Sequence, residues 1–419
     1  MDIYVYIDAA GLTDKPLFIG TLRSDFVRGK EMFSFRADEE MAKNPFLTYL
    51  DADLQPYKGE QYPPEGKENF GVFLDSCPDR WGKVLMQRRE RLRAKQSGRQ
   101  PKKLYDSDYL LGVFDGNRMG ALRYKTDHNG AFLDNDSELA TPPSTSLRAL
   151  EQASLNYEQD TMGESPEYRE WIKMLYSPGS SLGGARPKAN VLSPDGQLWI
   201  AKFPSRNDDM DIGAWEYVAT QMAREFGLRI PETSLKRYSS RFHTFLTKRF
   251  DRDTNGGRIH FASAMTLLGY TDGDDAETGV SYLELAEFLQ RFGNSHQKEE
   301  LKELWKRIVF NVAINNCDDH LRNHGFILGK KGWTLSPAYD LTPSPYMSGL
   351  KLNITENDNT ANFELVLETA SFYGIDTTEA HQLIDKVKNI CSQWQRKAKA
   401  SGLSSSEQEM MSTAFERCL

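Results

Sequence analysis

The chain has 419 residues, 39% of them hydrophobic and 27% charged, and carries a formal net charge of -8. That length is too great for one ordinary core and predicts two or three packed units, while the hydrophobic content excludes a disordered or fibrous chain. The acidic balance excludes nucleic acid as the main ligand of this chain acting alone, although a partner can bring DNA to it.

The first residues, 1–11, alternate apolar and polar as a strand does and lack the basic start and apolar run of a signal peptide. Strands are predicted at 3–7, 17–22 and 32–35, forming a small sheet. The Pro-rich stretch at Tyr62, Pro63, Pro64 and Glu65 reads as exposed. A strongly basic helix follows over 83–95, with Trp81, Val84, Leu85, Arg88 and Leu92 near one stripe and an Arg-rich outer face that is read as solvated. Residues 126–166, rich in Asn, Asp, Ser and Thr and with two consecutive prolines, read partly as a linker.

From residue 177 the pattern changes to glycine loop, strand, turn, strand, helix and strand. The turn Ser193-Pro194-Asp195-Gly196 closes a hairpin between 189–192 and 197–203. A helix is predicted over 212–226 with Gly227 as its cap, and a strand over 242–248. Beyond residue 281 the chain is mainly helical. Leu301, Leu304, Trp305, Ile308, Val309 and Val312 keep the rhythm of a buried helical face, as do Leu383, Ile384, Val387 and Ile390 further on. The expected architecture is α+β in two lobes, sheet first and helices after. The expected divisions are 1–125, 126–250 and 251–419.

Four cysteines, Cys77, Cys317, Cys391 and Cys418, have neither C-x-x-C pairing nor finger-like spacing, which predicts buried thiols rather than a zinc site or a disulfide framework. No stretch approaches the roughly 20 apolar residues that span a bilayer, and a cytosolic protein is expected.

Four pieces suggest one chemistry. The loop Ser181-Leu182-Gly183-Gly184-Ala185-Arg186-Pro187-Lys188 has glycines that let backbone N–H groups approach phosphate oxygens, although a tight turn explains it equally well. Lys202 follows one hairpin later, on the strand face opposite Trp199, Ala201 and Phe203, where a kinase places a phosphate-holding lysine. Glu216 on the next helix is its candidate ion-pair partner. Asp318 and Asn323 stand five apart after a long apolar helix, the spacing of the catalytic Asp and metal-binding Asn in H-R-D-x-x-x-x-N. A carboxylate there takes the proton of an attacking hydroxyl, and an amide oxygen binds Mg²⁺. Asp319 competes with Asp318 for the role of base. Asp340, after a hairpin of 326–328 and 333–335, stands where a second Mg²⁺ ligand belongs.

At this point the chain resembles the HipA family of serine/threonine protein kinases over nearly its whole length. The motifs are SLGGARPKA at 181–189, AKFPS at 201–205, TKRFDR at 247–252, DDHLRN at 318–323 and SPAYDLTPS at 336–344. FGVFLDSCPDRWG at 70–82 is similar to the family's small β-rich N-terminal subdomain. The resemblance implies a bilobal protein-kinase-like fold with a mostly helical C-terminal lobe. It implies ATP held by Gly183, Gly184, Ala185, Arg186, Pro187 and Lys188, by Lys202, by the linker residues Lys248, Arg249 and Phe250, and by His320, Leu321, Arg322, Asn323, Tyr339 and Asp340. It further implies Asp318 as catalytic base and Asn323 and Asp340 as Mg²⁺ ligands.

Ser181 takes the place of a serine that is autophosphorylated to switch the kinase off, with Ser180 and Ser177 nearby as alternatives. Lys248 departs from the family pattern, in which an acidic residue can stand there, but the linker contacts are expected to be largely backbone ones. The family also implies a HipB-like helix-turn-helix antitoxin as partner, DNA contacted through it, and a protein substrate in translation such as an aminoacyl-tRNA synthetase. Two other readings stay open: a nucleotide-binding pseudokinase or corepressor subunit without phosphotransfer, and a small-molecule or lipid kinase.

Overall fold

The structure is a computed structural model that describes the chain except for residues 45, 79, 134–140, 143, 161–164, 166, 180–183, 185 and 347–348. Two compact units form: residues 1–207 with 237–262, and residues 208–236 with 263–419.

The first unit begins with an antiparallel sheet of β1 (Asp2–Ile7), β2 (Leu17–Val27), β3 (Lys30–Ala37), β4 (Glu60–Gln61) and β5 (Leu122–Lys125), in the order β4-β3-β2-β1-β5. Strand alternation buries Ile3, Val5 and Ile7 of β1. β2 and β3 run past their expected ends and meet where Arg28 and Gly29 both have left-handed φ angles of 51° and 79°, as a tight two-residue hairpin requires. The basic helix α1 (Arg80–Gln96) buries Trp81 and Leu85, and Arg88 lies 4.2 Å from the centroid of the Tyr157 ring.

The expected linker is not one over its second half. Residues 147–159 form helix α2 (Leu147–Gln159), which buries Leu147, Leu150, Ala153 and Tyr157 in one core cluster with Tyr168, Ile172 and Leu175 of helix α3 (Tyr168–Gly179). The Asn- and Ser-rich flanks hid an apolar repeat with helical spacing.

The same cluster receives Ala189, Val191, Ala201, Phe203 and Leu246 from a second antiparallel arrangement: β6 (Lys188–Leu192), β7 (Leu198–Lys202) and β8 (Thr244–Lys248). The β6–β7 hairpin turns at Gly196, with φ of 78°, as its Ser-Pro-Asp-Gly sequence predicts. β8 starts two residues later than expected. A buried ionic knot just past β8 joins these strands to residues 117–120, which lead into β5. Arg249 donates to Asp251 (2.6 and 2.8 Å), to the Asn117 carbonyl (2.7 Å) and to Asn190 Oδ1 (2.7 Å), while Asp251 also accepts from Arg252 (2.7 Å) and the Gly120 N–H (2.9 Å).

The second unit contains the helices α4 (Ile212–Phe226), α5 (Tyr282–Phe292), α6 (Gln297–Ala313) and α7 (Thr377–Cys391). α4 is capped by the Asp211 carboxylate, which accepts from the Ala214 N–H, and ends at Gly227 with φ of 94°. α6 buries the six apolar residues expected of it. α7 buries Ile384, Val387 and Ile390, with Leu383 half-buried. The hairpin β9 (Gly325–Gly329) and β10 (Gly332–Leu335) follows the loop after α6. Among the described residues no helix is long and apolar enough to cross a membrane.

Candidate active site

The glycine loop is anchored in the first unit at Gly184 and again at Pro187 and Lys188. At Gly184, whose φ is 86°, the carbonyl accepts from the Trp81 N–H (3.4 Å), and the Trp81 indole N–H donates to the Lys188 carbonyl (3.1 Å). The Pro187 carbonyl accepts from the Phe203 N–H (2.9 Å). Pro187 and Lys188 are buried, and Arg186 is half-buried. Ser181, Gly183 and Ala185, together with Ser180, lie outside the described residues.

Lys202 ends β7 opposite Lys188 on β6 and Phe245 on β8. Ala201 and Phe203 are buried, as the alternation predicts, and Lys202 is half-exposed with its ammonium 5.7 Å from the centroid of the Phe245 ring. Glu216 is a buried residue of α4 in the second unit. Lys248 closes β8 half-buried, and Phe250 packs against Phe261 at a ring separation of 5.9 Å. The Arg249 side chain is taken up entirely by the buried knot, so any part it has in holding a nucleotide falls to its main chain.

In the second unit, α6 gives way to the loop carrying the other functional residues at Asn315. This residue is buried and has φ of 52°, a left-handed conformation that Asn tolerates better than most side chains. The turn sends two adjacent carboxylates opposite ways: Asp318 is exposed, and Asp319 is buried. One oxygen of Asp319, Oδ2, accepts from the Tyr282 hydroxyl (2.7 Å) and the Asn311 amide (2.6 Å), and pairs with His324 Nε2 (2.7 Å). Burial alone would raise this carboxyl, but the charge of His324 and hydrogen bonds from His324 and Tyr282 hold it below its ordinary value. Burial and the neighbouring carboxylate push the Tyr282 phenol well up.

The loop closes on itself. The Asn323 amide N–H donates to the Asp318 carbonyl (2.8 Å), the His320 N–H donates to the same carbonyl (2.9 Å), and the Asn323 N–H donates to the His320 carbonyl (2.8 Å). Leu321 is buried beneath it, His320 is half-buried, and Arg322 pairs with Asp272 at 3.1 Å. The Tyr339 hydroxyl donates to the Arg322 carbonyl (2.8 Å), which ties the loop to the next segment. There Asp340 is half-buried with φ of 54°, strained for an L residue.

The second unit thus brings together Asp318, His320, Leu321, Arg322, Asn323, Tyr339 and Asp340. The first carries Lys202 and the anchored loop residues Gly184, Pro187 and Lys188. Two supporting sets were not anticipated. Tyr282, Asn311 and His324 surround Asp319, and the only sequence trace of this is Asn311 within the apolar run Phe310-Asn311-Val312. Trp81 was read as core packing, yet its indole N–H also holds the glycine loop.

Residues 180–394, more than half of the chain, match the model of the HipA-like C-terminal domain. The chain belongs to the HipA-like family. A relative in Haemophilus influenzae, named as a kinase, is 27% identical over 225 residues, which cover 48% of this chain and 65% of the relative. The serine/threonine-protein kinase toxin HipA of Shewanella oneidensis is 25% identical over 272 residues, covering 56% of this chain and 59% of the relative. Both matches thus span less than two thirds of the relatives' own lengths. The HipA fold itself extends over almost everything. The HipA chain in the solved Shewanella oneidensis complex of HipA, HipB and operator DNA superposes with a TM-score of 0.65 at 16% identity, covering 99% of this chain and 96% of that one.

Proposed function

We propose that this chain is an ATP- and Mg²⁺-dependent serine/threonine protein kinase of the HipA type. The observation that carries the reading is the division of labour within 318–323: one carboxylate faces solvent, its neighbour is spent on the interior, and Asn323 is folded back onto the Asp318 carbonyl. With its N–H₂ group used in that way, the Asn323 side chain offers its oxygen as an acceptor. The Asn323 amide oxygen and the half-buried Asp340 carboxylate, together with phosphate oxygens of the nucleotide, would hold the Mg²⁺. Bound Mg²⁺ would neutralise charge on the phosphates.

In this reading Asp318 accepts the proton of the substrate hydroxyl as that oxygen bonds to the terminal phosphorus and the bond to ADP breaks. Lys202 and the backbone of loop 183–188 hold the phosphates, while the main chain at 248–250 and residues 320–323, with Tyr339 and Asp340, hold the rest of the nucleotide. Phosphate on Ser181 would place nearly two negative charges beside N–H groups meant for ATP and so switch the enzyme off. The kinase names of the relatives support the activity, and the fold shared with a protein solved beside HipB supports a HipB-like antitoxin as partner, with DNA reached through it. The substrate belongs to the translation machinery, an aminoacyl-tRNA synthetase being the first to try.

Intact mass before and after incubation with Mg-ATP tests this on the wild type, Asp318→Ala and Ser181→Ala. A gain of one phosphate by the wild type and by neither variant is expected. Nucleotide binding with no gain in the wild type would instead make the chain a pseudokinase or corepressor subunit.

A further inference from the structure

The turn at Asn315 is held from outside the loop. Its amide N–H₂ donates to two carbonyls of the segment after Asp340, those of Ser344 and Tyr346 (both 2.8 Å), and its Oδ1 accepts from the Arg417 guanidinium (2.9 Å). Arg417 lies in the 3-10 turn Ser412–Cys418, far along the chain. That turn is seated firmly: Phe415 is fully buried, stacked on Trp394 at 4.8 Å, and the Thr413 hydroxyl donates to the Pro345 carbonyl (2.7 Å). The Cys418 thiol reaches the Ala313 carbonyl (3.3 Å) at the very end of α6. One short segment therefore touches the end of α6, the left-handed turn and the stretch that follows Asp340.

We infer that Arg417 is a positioning residue for the phosphotransfer loop, acting through Asn315. The identity of that loop rests on the kinase reading; the latch itself rests on the contacts. Arg417 fixes the Asn315 amide so that one side chain locks two strips of chain together. Asn315 then sets the spacing between the strip carrying Asp318 and Asn323 and the strip carrying Asp340. Without the guanidinium the amide loses its partner on Oδ1 and the left-handed turn loses a support that offsets its strain.

The test is hydrogen exchange on the full chain, read at the amides of 315–324, for wild type, Arg417→Gln, Arg417→Lys and Asn315→Gly. Glycine suits the left-handed φ, so Asn315→Gly removes the latch without straining the backbone and serves even if an arginine variant folds poorly. Exchange there should quicken about tenfold in Arg417→Gln, as expected for one hydrogen bond lost locally, less in Arg417→Lys and more in Asn315→Gly, which loses all three side-chain bonds of Asn315, with amides of α7 unchanged. The Mg²⁺ concentration for half-maximal autophosphorylation should rise in the same order. Unchanged exchange at 315–324, or equal quickening throughout the second unit, would overturn the latch. If the wild type transfers no phosphate while exchange responds as described, the latch stands and the kinase reading falls.

Discussion

Asp318 and Asp319 are adjacent and chemically identical, yet the structure predicts opposite consequences for losing each charge. Asp319→Asn keeps the shape and leaves an oxygen facing the Tyr282 hydroxyl, the Asn311 amide and His324, but makes the first two hydrogen bonds neutral and takes the countercharge away from His324, weakening all three. Hydrogen bonds to charged groups contribute roughly 1.5–3 kcal/mol and neutral ones roughly 0.5–1.5, so the change costs about 1 kcal/mol per bond and about 3 in all. Asp318→Asn alters an exposed side chain and should stay within about 0.5 kcal/mol of wild type. Urea unfolding read through the tryptophans measures both: Asp319→Asn should lower the midpoint by about 1 M or more, and Asp318→Asn should leave it in place while abolishing phosphate transfer.

A pH series adds an independent sign. The Asp319 carboxyl titrates below its ordinary value in the folded chain, because the charge of His324 and its hydrogen bonds outweigh burial. Its stabilisation is therefore complete above the unfolded value of about 3.9 and disappears as pH falls through the folded one. Wild type should lose its advantage over Asp319→Asn only below about pH 4. A midpoint that moves with Asp318→Asn and not with Asp319→Asn would refute the assignment of inward and outward carboxylates.

Other substitutions separate packing from chemistry. Lys202→Ala, at a half-exposed strand end, should reduce phosphate transfer by about 10²-fold or more while the urea midpoint holds, as measured by intact mass over time. Trp81→Phe keeps the ring but removes the donor to the Lys188 carbonyl; one lost hydrogen bond predicts a Kd for ATP about tenfold weaker by calorimetry, with little change in the transfer rate once ATP is saturating. Arg249→Ala leaves Asp251 buried beside Arg252 alone and should destabilise the first unit by about 3–5 kcal/mol, visible as a lowered Tm.

Regular periodicity made some elements legible. Helices α4 and α6 could be placed because their apolar residues recur at helical spacing and, for α4, because Gly227 marks the end. The Asp318–Asn323 spacing was legible too, since it reflects chemistry rather than packing. A loop has no period, however, and nothing in Asp318-Asp319 tells which carboxylate turns inward; that depends on Tyr282 and Asn311, which come from two different helices. α2 escaped notice because its apolar repeat is short and flanked by polar, proline-containing chain. The use of the Arg249 side chain in a buried knot is not legible in the sequence, because its partners Asn117 and Asn190 are distant along the chain.

The knot around Arg249 and Asp251 bears on how such a gene can be cut. The stretch matched by the family model starts at residue 180, in the middle of the first unit, whose charged interior is completed by the carbonyl of Asn117 and the N–H of Gly120. A fragment beginning at 180 would carry a guanidinium and a carboxylate with half their partners missing, in a site made to be dry. Recombination that exchanged the amino-terminal sheet between relatives would have to carry the facing strands along, so the two sheets are expected to be inherited as one block.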